Sequence, residues 1–311
     1  MNKLVFRAFG GLDVLELQDA AIPAFGAGEL LVRVRAAAIN PADWKMREGQ
    51  LKLLSGWRMP QGLGLEFSGV IEQVGPSVRS FAVGDEVFGA AKSCIADFVV
   101  AKEGQIAKKP PGVSFAAAST IPVVGATAAS LFEKAAIGEG TTVLINGATG
   151  GIGTFATQLA VQRGAKVTAV VSERGLAMVK RWGVEHAVDY RKTSLSELGP
   201  SFDIVVELSD KLSFKEGRAL LTPTGLFVAS LPSATETPTG LINNLYSRQK
   251  YALMGMQANT EVLTRLAQDV AAGRVEVIIG QSFPLADFRA AYGQTAEGRF
   301  AGKVVFTLEE S

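Results

Sequence analysis

Over the first 110 residues, apolar positions come in short runs, several alternating with polar ones, each cut off by Gly, Pro or Asp. Residues 30–39 (LLVRVRAAAI), 68–75 (SGVIEQVG), 85–90 (DEVFGA) and 95–102 (IADFVVAK) are the predicted strands. Such a series suits a small barrel-like domain. Near Ile121 the rhythm changes. Residues 126–137 predict a helix ending before Gly138. Strands at 141–146, 166–171, 186–189, 203–208, 225–230 and 251–256 then alternate with helices at 152–163, 174–182 and 214–221. Apolar strands separated by amphipathic helices predict a parallel, doubly wound sheet. Beyond 257 come helices at 260–273 and 285–296 and strands at 275–283 and 302–308, expected to return to the first domain. The expected division is 1–122 and 258–311 for the β-rich domain and 123–257 for the parallel sheet.

Composition narrows the class. A chain of 311 residues is long enough for two domains with full cores. A net charge of +1 gives no basic face for nucleic acid. The one cysteine, Cys94, excludes an internal disulfide framework and suits a reducing, cytoplasmic setting. The opening residues have too short an apolar core for a signal peptide. Residues 110–132 carry no charge, but Pro122, Gly125, several Ser and Thr and many Ala weigh against a membrane span.

The candidate chemistry starts at residues 141–153. An apolar strand runs into Asn146-Gly147-Ala148-Thr149-Gly150-Gly151-Ile152-Gly153, and a helix follows. Clustered glycines there present backbone N–H groups at a helix N-terminus, a site for a pyrophosphate. No Gly-Lys-Ser/Thr follows, which excludes a P-loop. The next strand ends in Ser172-Glu173-Arg174. An acidic selector there would mark NAD. A small hydroxyl beside a guanidinium suits a 2′-phosphate, so Ser172 and Arg174 favour NADP(H), with Tyr190 flanking the adenine or the phosphate. Glu173, turned inward, would favour NAD instead. Tyr246 and Lys250 match a Tyr-x-x-x-Lys pair, but they follow the fifth strand of the sheet and the match reads as chance.

Residues 36–49, 64–89, 121–132, 146–153 and 298–306 together resemble the medium-chain dehydrogenases/reductases. Within them the chain is most similar to the zinc-free quinone oxidoreductase and alkenal (oxoene) reductase branch. The resemblance spans the chain in order. It implies an α/β fold in which a GroES-like β-rich catalytic domain is split around a Rossmann domain, with the active site in the cleft between them and NADPH as donor. Zinc-dependent members carry Gly-His-Glu where this chain has Gly64-Leu65-Glu66, and a cysteine ligand near Asp43. With one His (His186) and one Cys, a three-ligand zinc site cannot be assembled, so no zinc is expected. Without a Lewis acid, a conjugated acceptor is the easier substrate, because the hydride's charge spreads to a distant oxygen. A quinone or an enone is therefore the expected small-molecule substrate.

Site residues follow by position. The resemblance places Asn40 and Asp43 near nicotinamide and substrate; equally, Asp43 could cap the short helix that follows. Lys45 and Tyr246 complete the catalytic candidates. Thr127, Leu208, Ser209, Ser230 and Leu231, with Phe300 and Ala301 before the last strand, are candidate cofactor contacts. Trp57, Met59 and Met254 could line an apolar wall or sit in the core. The alternative functions are an NADP(H)-binding sensor or scaffold without turnover, and a metal-free aldehyde or haloacrylate reductase. The 251–256 strand reads as a sheet edge, which suggests a homodimer through a continuous sheet.

Overall fold

The computed structural model describes residues 1–308 except Pro200, Pro232, Ala234, Glu297 and Arg299. Two compact units result: residues 1–123, 258–273 and 277–311 form one, residues 124–257 and 274–276 the other.

The first unit is β-rich. Strands β1 (Asn2–Phe6), β2 (Leu15–Asp19) and β4 (Gln61–Gly62) form a small sheet in the order β2-β1-β4. A larger sheet has the order β15-β16-β3-β5-β6-β8. Its strands are β3 (Glu29–Ala38), β5 (Glu66–Val74), β6 (Glu86–Ala90), β8 (Ile106–Lys108), β15 (Ile279–Pro284) and β16 (Lys303–Thr307), and β7 (Phe98–Lys102) joins it by pairing with β3. Helices α1 (Pro41–Arg47), α2 (Lys52–Ser55), α3 (Phe115–Ala118), α9 (Thr260–Ala271) and α10 (Phe288–Ala296) accompany them. Inward positions of β1, β3 and β5 meet in one apolar core around Leu4, Phe6, Leu30, Val32, Phe67 and Ile71, which β16 closes with Phe306. The register β16–β3 pairs Val305 with Ala38. This brings Lys303, at the start of β16, towards the end of β3.

The second unit is a parallel sheet, β11-β10-β9-β12-β13-β14. Its strands are β9 (Thr142–Asn146), β10 (Lys166–Val171), β11 (His186–Asp189), β12 (Phe202–Glu207), β13 (Leu221–Ala229) and β14 (Lys250–Leu253). Helices α4 (Ala126–Lys134), α5 (Gly151–Gln162), α6 (Glu173–Arg181), α7 (Phe214–Ala219) and α8 (Glu236–Tyr246) complete it. The order reverses between β9 and β12, which is where doubly wound sheets bind ligands at their carboxyl ends. Under the sheet, Phe227 stacks on Tyr251 at 5.9 Å and Phe214 meets both rings edge-on. Gly217 and Gly240 lie so close to Phe227 and Tyr251 that a Cβ would fall 2.1 and 2.3 Å from ring carbons. Helices α7 and α8 can therefore approach the sheet only as glycine-bearing helices.

Among the described residues, one helical stretch, Phe115–Lys134, is long and apolar enough to cross a membrane; 72% of its most apolar window is buried within the protein.

The edge expected to pair with a second copy is not bare. On β14 the Tyr251 N–H donates to Asn244 Oδ1 (2.7 Å), and Asn244 Nδ2 donates to the Tyr251 carbonyl (2.9 Å). One side-chain amide of α8 thus takes both outward backbone groups of a residue that a neighbouring strand would otherwise bond. This blunts the edge in the manner of strands protected against self-pairing. A continuous-sheet homodimer would have to displace Asn244. Asn244→Ala is expected to increase self-association in sedimentation velocity; equal sedimentation of the two proteins would show that Asn244 guards nothing.

Candidate functional site

In the parallel-sheet unit the glycine loop leaves β9 and turns at Gly147, whose φ of +86° is the left-handed region that glycine favours. The Gly147 and Ala148 N–H groups both donate to the Val170 carbonyl at 3.2 Å, which ties the loop to β10. Ala148 is fully buried. Gly150 is the N-cap of α5, and the first intrahelical bond runs from Thr154 N–H to the Gly150 carbonyl. The N–H groups of Gly151, Ile152 and Gly153 therefore have no acceptor within the helix. A Cβ on Gly153 would sit 2.1 Å from the Gly147 carbonyl oxygen. The loop and the helix start touch backbone to backbone, and the cradle fits a pyrophosphate. Thr149 packs its methyl against Gly175 of α6.

The strand ends gather the other cofactor candidates. Val171 and Asp189 are register partners, so Ser172 and Tyr190 lie side by side, and Tyr190 N–H donates to the Val171 carbonyl. Ser172 is the N-cap of α6, yet its hydroxyl makes no capping bond. Arg174 is exposed on the first turn. Glu173, the residue that argued for NAD, is exposed and paired with Lys192 Nζ at 2.9 Å, so its charge is offset. Leu208 and Ser209 follow β12, and Ser230 and Leu231 follow β13. Ser230 N–H donates to the Glu207 carbonyl, so these segments stand beside Gly147 at the switch point. Thr127 is buried within α4.

The catalytic candidates fall in different units. Tyr246 ends α8 with 86% of its surface exposed, and Lys250 donates instead to the Asn244 carbonyl (2.8 Å). The Tyr-x-x-x-Lys spacing builds no pair, and Tyr246 joins none of the buried polar clusters described below. Trp57 is exposed with Lys52 over its ring, whereas Met254 is buried in the other unit. Lys45 is half-buried on α1. Phe300 and Ala301 precede β16 in the β-rich unit, packed against Gly280.

Asn40 and Asp43 are almost wholly buried in a network that the sequence did not reveal. Asn40 is the N-cap of α1 and Asp43 its third residue. Asp43 Oδ2 accepts from Asn40 N–H (2.7 Å) and Oδ1 from Gly64 N–H (3.1 Å). Asn40 Nδ2 donates to Glu66 Oε1 (3.0 Å), and Glu66 Oε2 accepts from Val123 N–H (2.7 Å). Lys303 Nζ donates to Asn40 Oδ1 and to the Ile39 carbonyl (2.6 Å each) and pairs with Glu66 Oε1 at 2.8 Å. The capping alternative for Asp43 is thus realised. Burial raises the Asp43 carboxyl to about 6, against the lowering effect of its two backbone donors. Burial likewise pushes the Cys94 thiol and the Tyr292 hydroxyl well up, and the Asp43 charge adds to both.

The sign of the Asp43 shift fixes a pH dependence. The folded chain holds this proton more tightly than the unfolded chain, whose carboxyl titrates near 3.8. Between about pH 4 and 6 the folded state binds more protons, and stability falls as pH rises through that window. Relative to Asp43→Asn, the wild type is expected to lose roughly 2 kcal/mol of unfolding free energy between pH 4 and 7. Urea titrations of both proteins across the range would measure it; parallel curves would contradict it.

The same network bears on zinc. The chain's counterparts to the Cys, His and Glu of zinc-dependent members are Asp43, Leu65 and Glu66; Leu65 offers no ligand atom, and the Asp43 oxygens already accept two backbone N–H groups. An ammonium fills the neighbouring space beside Glu66. Among the described residues no group of three His, Cys, Asp or Glu is placed to hold a metal ion. This donor set does not fit a catalytic zinc.

Comparisons with known proteins agree on the family. The "Alcohol dehydrogenase GroES-like domain" family model matches residues 26–171, and the "Zinc-binding dehydrogenase" model residues 182–306. The chain is 30% identical to the 2-methylene-furan-3-one reductase of Solanum lycopersicum, over 98% of this chain and 78% of that one. It is 27% identical to the chloroplastic NADPH-dependent alkenal/one oxidoreductase of Arabidopsis thaliana, over 98% and 79%. The solved quinone oxidoreductase from Coxiella burnetii superimposes with a TM-score of 0.91 at 29% identity, over 99% of each chain. The β-rich unit is GroES-like and the parallel-sheet unit is a Rossmann domain. This chain belongs to the medium-chain dehydrogenase/reductase family and is an oxidoreductase.

Proposed function

We propose that the chain is an NADPH-dependent, metal-free reductase of quinones or of the conjugated C=C of α,β-unsaturated carbonyls. The observation that carries this reading is Lys303, whose ammonium is fixed by Asn40, Ile39 and Glu66 beside Asp43. A dehydrogenase that cannot coordinate a Lewis acid is suited to acceptors that spread the incoming charge themselves. The relatives named for furanone, alkenal and quinone reduction support the same substrate class. NADPH, when bound, supplies the hydride. The electron pair then rests on the acceptor's carbonyl oxygen, and water supplies the proton. The chain's part is to hold the pyrophosphate on the Gly147–Gly153 loop and the 2′-phosphate near Ser172, Arg174 and Tyr190. The Lys192–Glu173 pair supports NADP(H) over NAD, because the ammonium partly offsets the acidic charge at that strand end.

The test is nucleotide oxidation in chelator-containing buffer with an enone, a quinone and a saturated aldehyde, using NADPH and NADH in parallel. Turnover of the conjugated acceptors with NADPH preferred is the expected result. NADPH binding without turnover would favour the sensor or scaffold alternative. Activity lost only in the presence of chelator would overturn the metal-free reading.

A further inference from the structure

Glu207 ends the apolar strand β12 at the switch point, and its carboxylate is 5% exposed. Its two oxygens face two different loops. Oε2 accepts from Asn146 Nδ2 at 2.6 Å, and Asn146 is the residue directly before the glycine loop. Oε1 accepts from Ser209 N–H (2.6 Å), Ser209 Oγ–H (2.8 Å) and Lys211 N–H (3.3 Å), all in the turn between β12 and α7. The Ser209 hydroxyl in turn accepts from Asn146 Nδ2 (3.0 Å) and Lys211 N–H (3.3 Å). Leu208 N–H donates to the Asn146 carbonyl at 3.0 Å. The turn is wound tightly enough to hold Asp210 at a φ of +57°, uncommon for a side-chain-bearing residue. Gly147 lies against it, where a Cβ would be 3.3 Å from the Leu208 carbonyl carbon.

A strand end needs no buried charge for packing, and a buried carboxylate is retained only where hydrogen bonds satisfy it. Here those bonds join the two segments that a dinucleotide would touch on either side of its pyrophosphate. We propose that Glu207 is a positioning residue for the cofactor: it clamps the glycine loop to the β12–α7 turn, without touching the ligand. This rests on the NADP(H) reading above. It also reassigns Ser209, whose hydroxyl serves the clamp and not the ribose.

The experiment is equilibrium binding of NADPH and of adenosine 2′,5′-bisphosphate, which lacks the nicotinamide half, to wild type, Glu207→Ala and Glu207→Gln. Glu207→Ala is expected to weaken NADPH by about tenfold or more, from the loss of a charged hydrogen-bond centre. The bisphosphate keeps only one of the two pyrophosphate phosphates and makes no approach to the β12–α7 turn, so it should change less than about threefold, under 1 kcal/mol. Glu207→Gln should recover most of the NADPH affinity, because the Asn146 carboxamide can turn over to accept from the new amide. Should Glu207→Ala not fold, Ser209→Ala removes one arm of the clamp and should weaken NADPH alone. Unchanged NADPH affinity in a folded Glu207→Ala, or equal loss of both ligands, would overturn the clamp. A wild type that binds neither ligand would instead overturn the cofactor reading.

Discussion

Replacing Lys303 by methionine is expected to lower the unfolding free energy by about 3–5 kcal/mol. The side chain is 5% exposed and Glu66 is fully buried. Methionine matches the lysine stem, so packing changes little. What is lost is the counter-charge, together with donors to Asn40 Oδ1 and the Ile39 carbonyl. Glu66 would be left as a buried carboxylate held only by Asn40 Nδ2 and Val123 N–H. The double variant Lys303→Met/Glu66→Gln should regain much of the loss. Its new amide can accept from Val123 and, once the Asn40 carboxamide turns over, donate to the Asn40 oxygen, and no charge is left unpaired. Urea unfolding of the wild type, the single and the double variant forms the test. A single-variant loss below about 1 kcal/mol would mean that water reaches the pair and that it behaves as a surface ion pair.

This network was not legible in the sequence because its members are far apart along the chain. Asn40 and Lys303 are 263 positions apart, and Asn40 and Glu66 are 26. The β16–β3 pairing brings Lys303 to Asn40, and the β3–β5 pairing brings Glu66. A hint existed: Lys303 starts an otherwise apolar strand, as Glu207 ends another, and a charge in such a place needs a partner. The Rossmann half was readable because buried parallel strands are apolar along their whole length and glycines state the loop's backbone demands by themselves. Strands β1 and β2, five residues each, lie outside the strands predicted from the hydrophobic pattern. Strand β15 begins at Ile279, later than the apolar run from 275 suggests. The reason lies at Glu276, whose N–H and carbonyl are bonded to the Gln158 amide and whose carboxylate takes Arg181 and Trp182. Long-range polar pairing decided that boundary against local hydrophobicity.

Gly153→Ala is expected to reduce NADPH affinity about a hundredfold, close to 3 kcal/mol, and to cost roughly 1–3 kcal/mol of stability. The added Cβ would meet backbone on two sides, the Gly147 oxygen at 2.1 Å and the Ala148 carbonyl carbon at 2.8 Å. No rotamer change relieves a backbone overlap, so the first turn of α5 must move off the loop. That movement pulls on the bonds from Gly147 and Ala148 to the Val170 carbonyl and misaims the N–H groups of Gly151 and Ile152. Gly150→Ala separates packing from ligand approach. At Gly150 the φ of −75° suits any residue, and a Cβ would meet only the Gly147 oxygen, at 3.3 Å. That variant should fold with near wild-type stability and still bind NADPH more weakly, because the methyl group stands on the surface the pyrophosphate approaches. Thermal unfolding and NADPH titration of both variants read the two effects apart. Full affinity in Gly150→Ala would mean that the loop does not carry the pyrophosphate. Full stability in Gly153→Ala would mean that the loop and the helix start are free to separate.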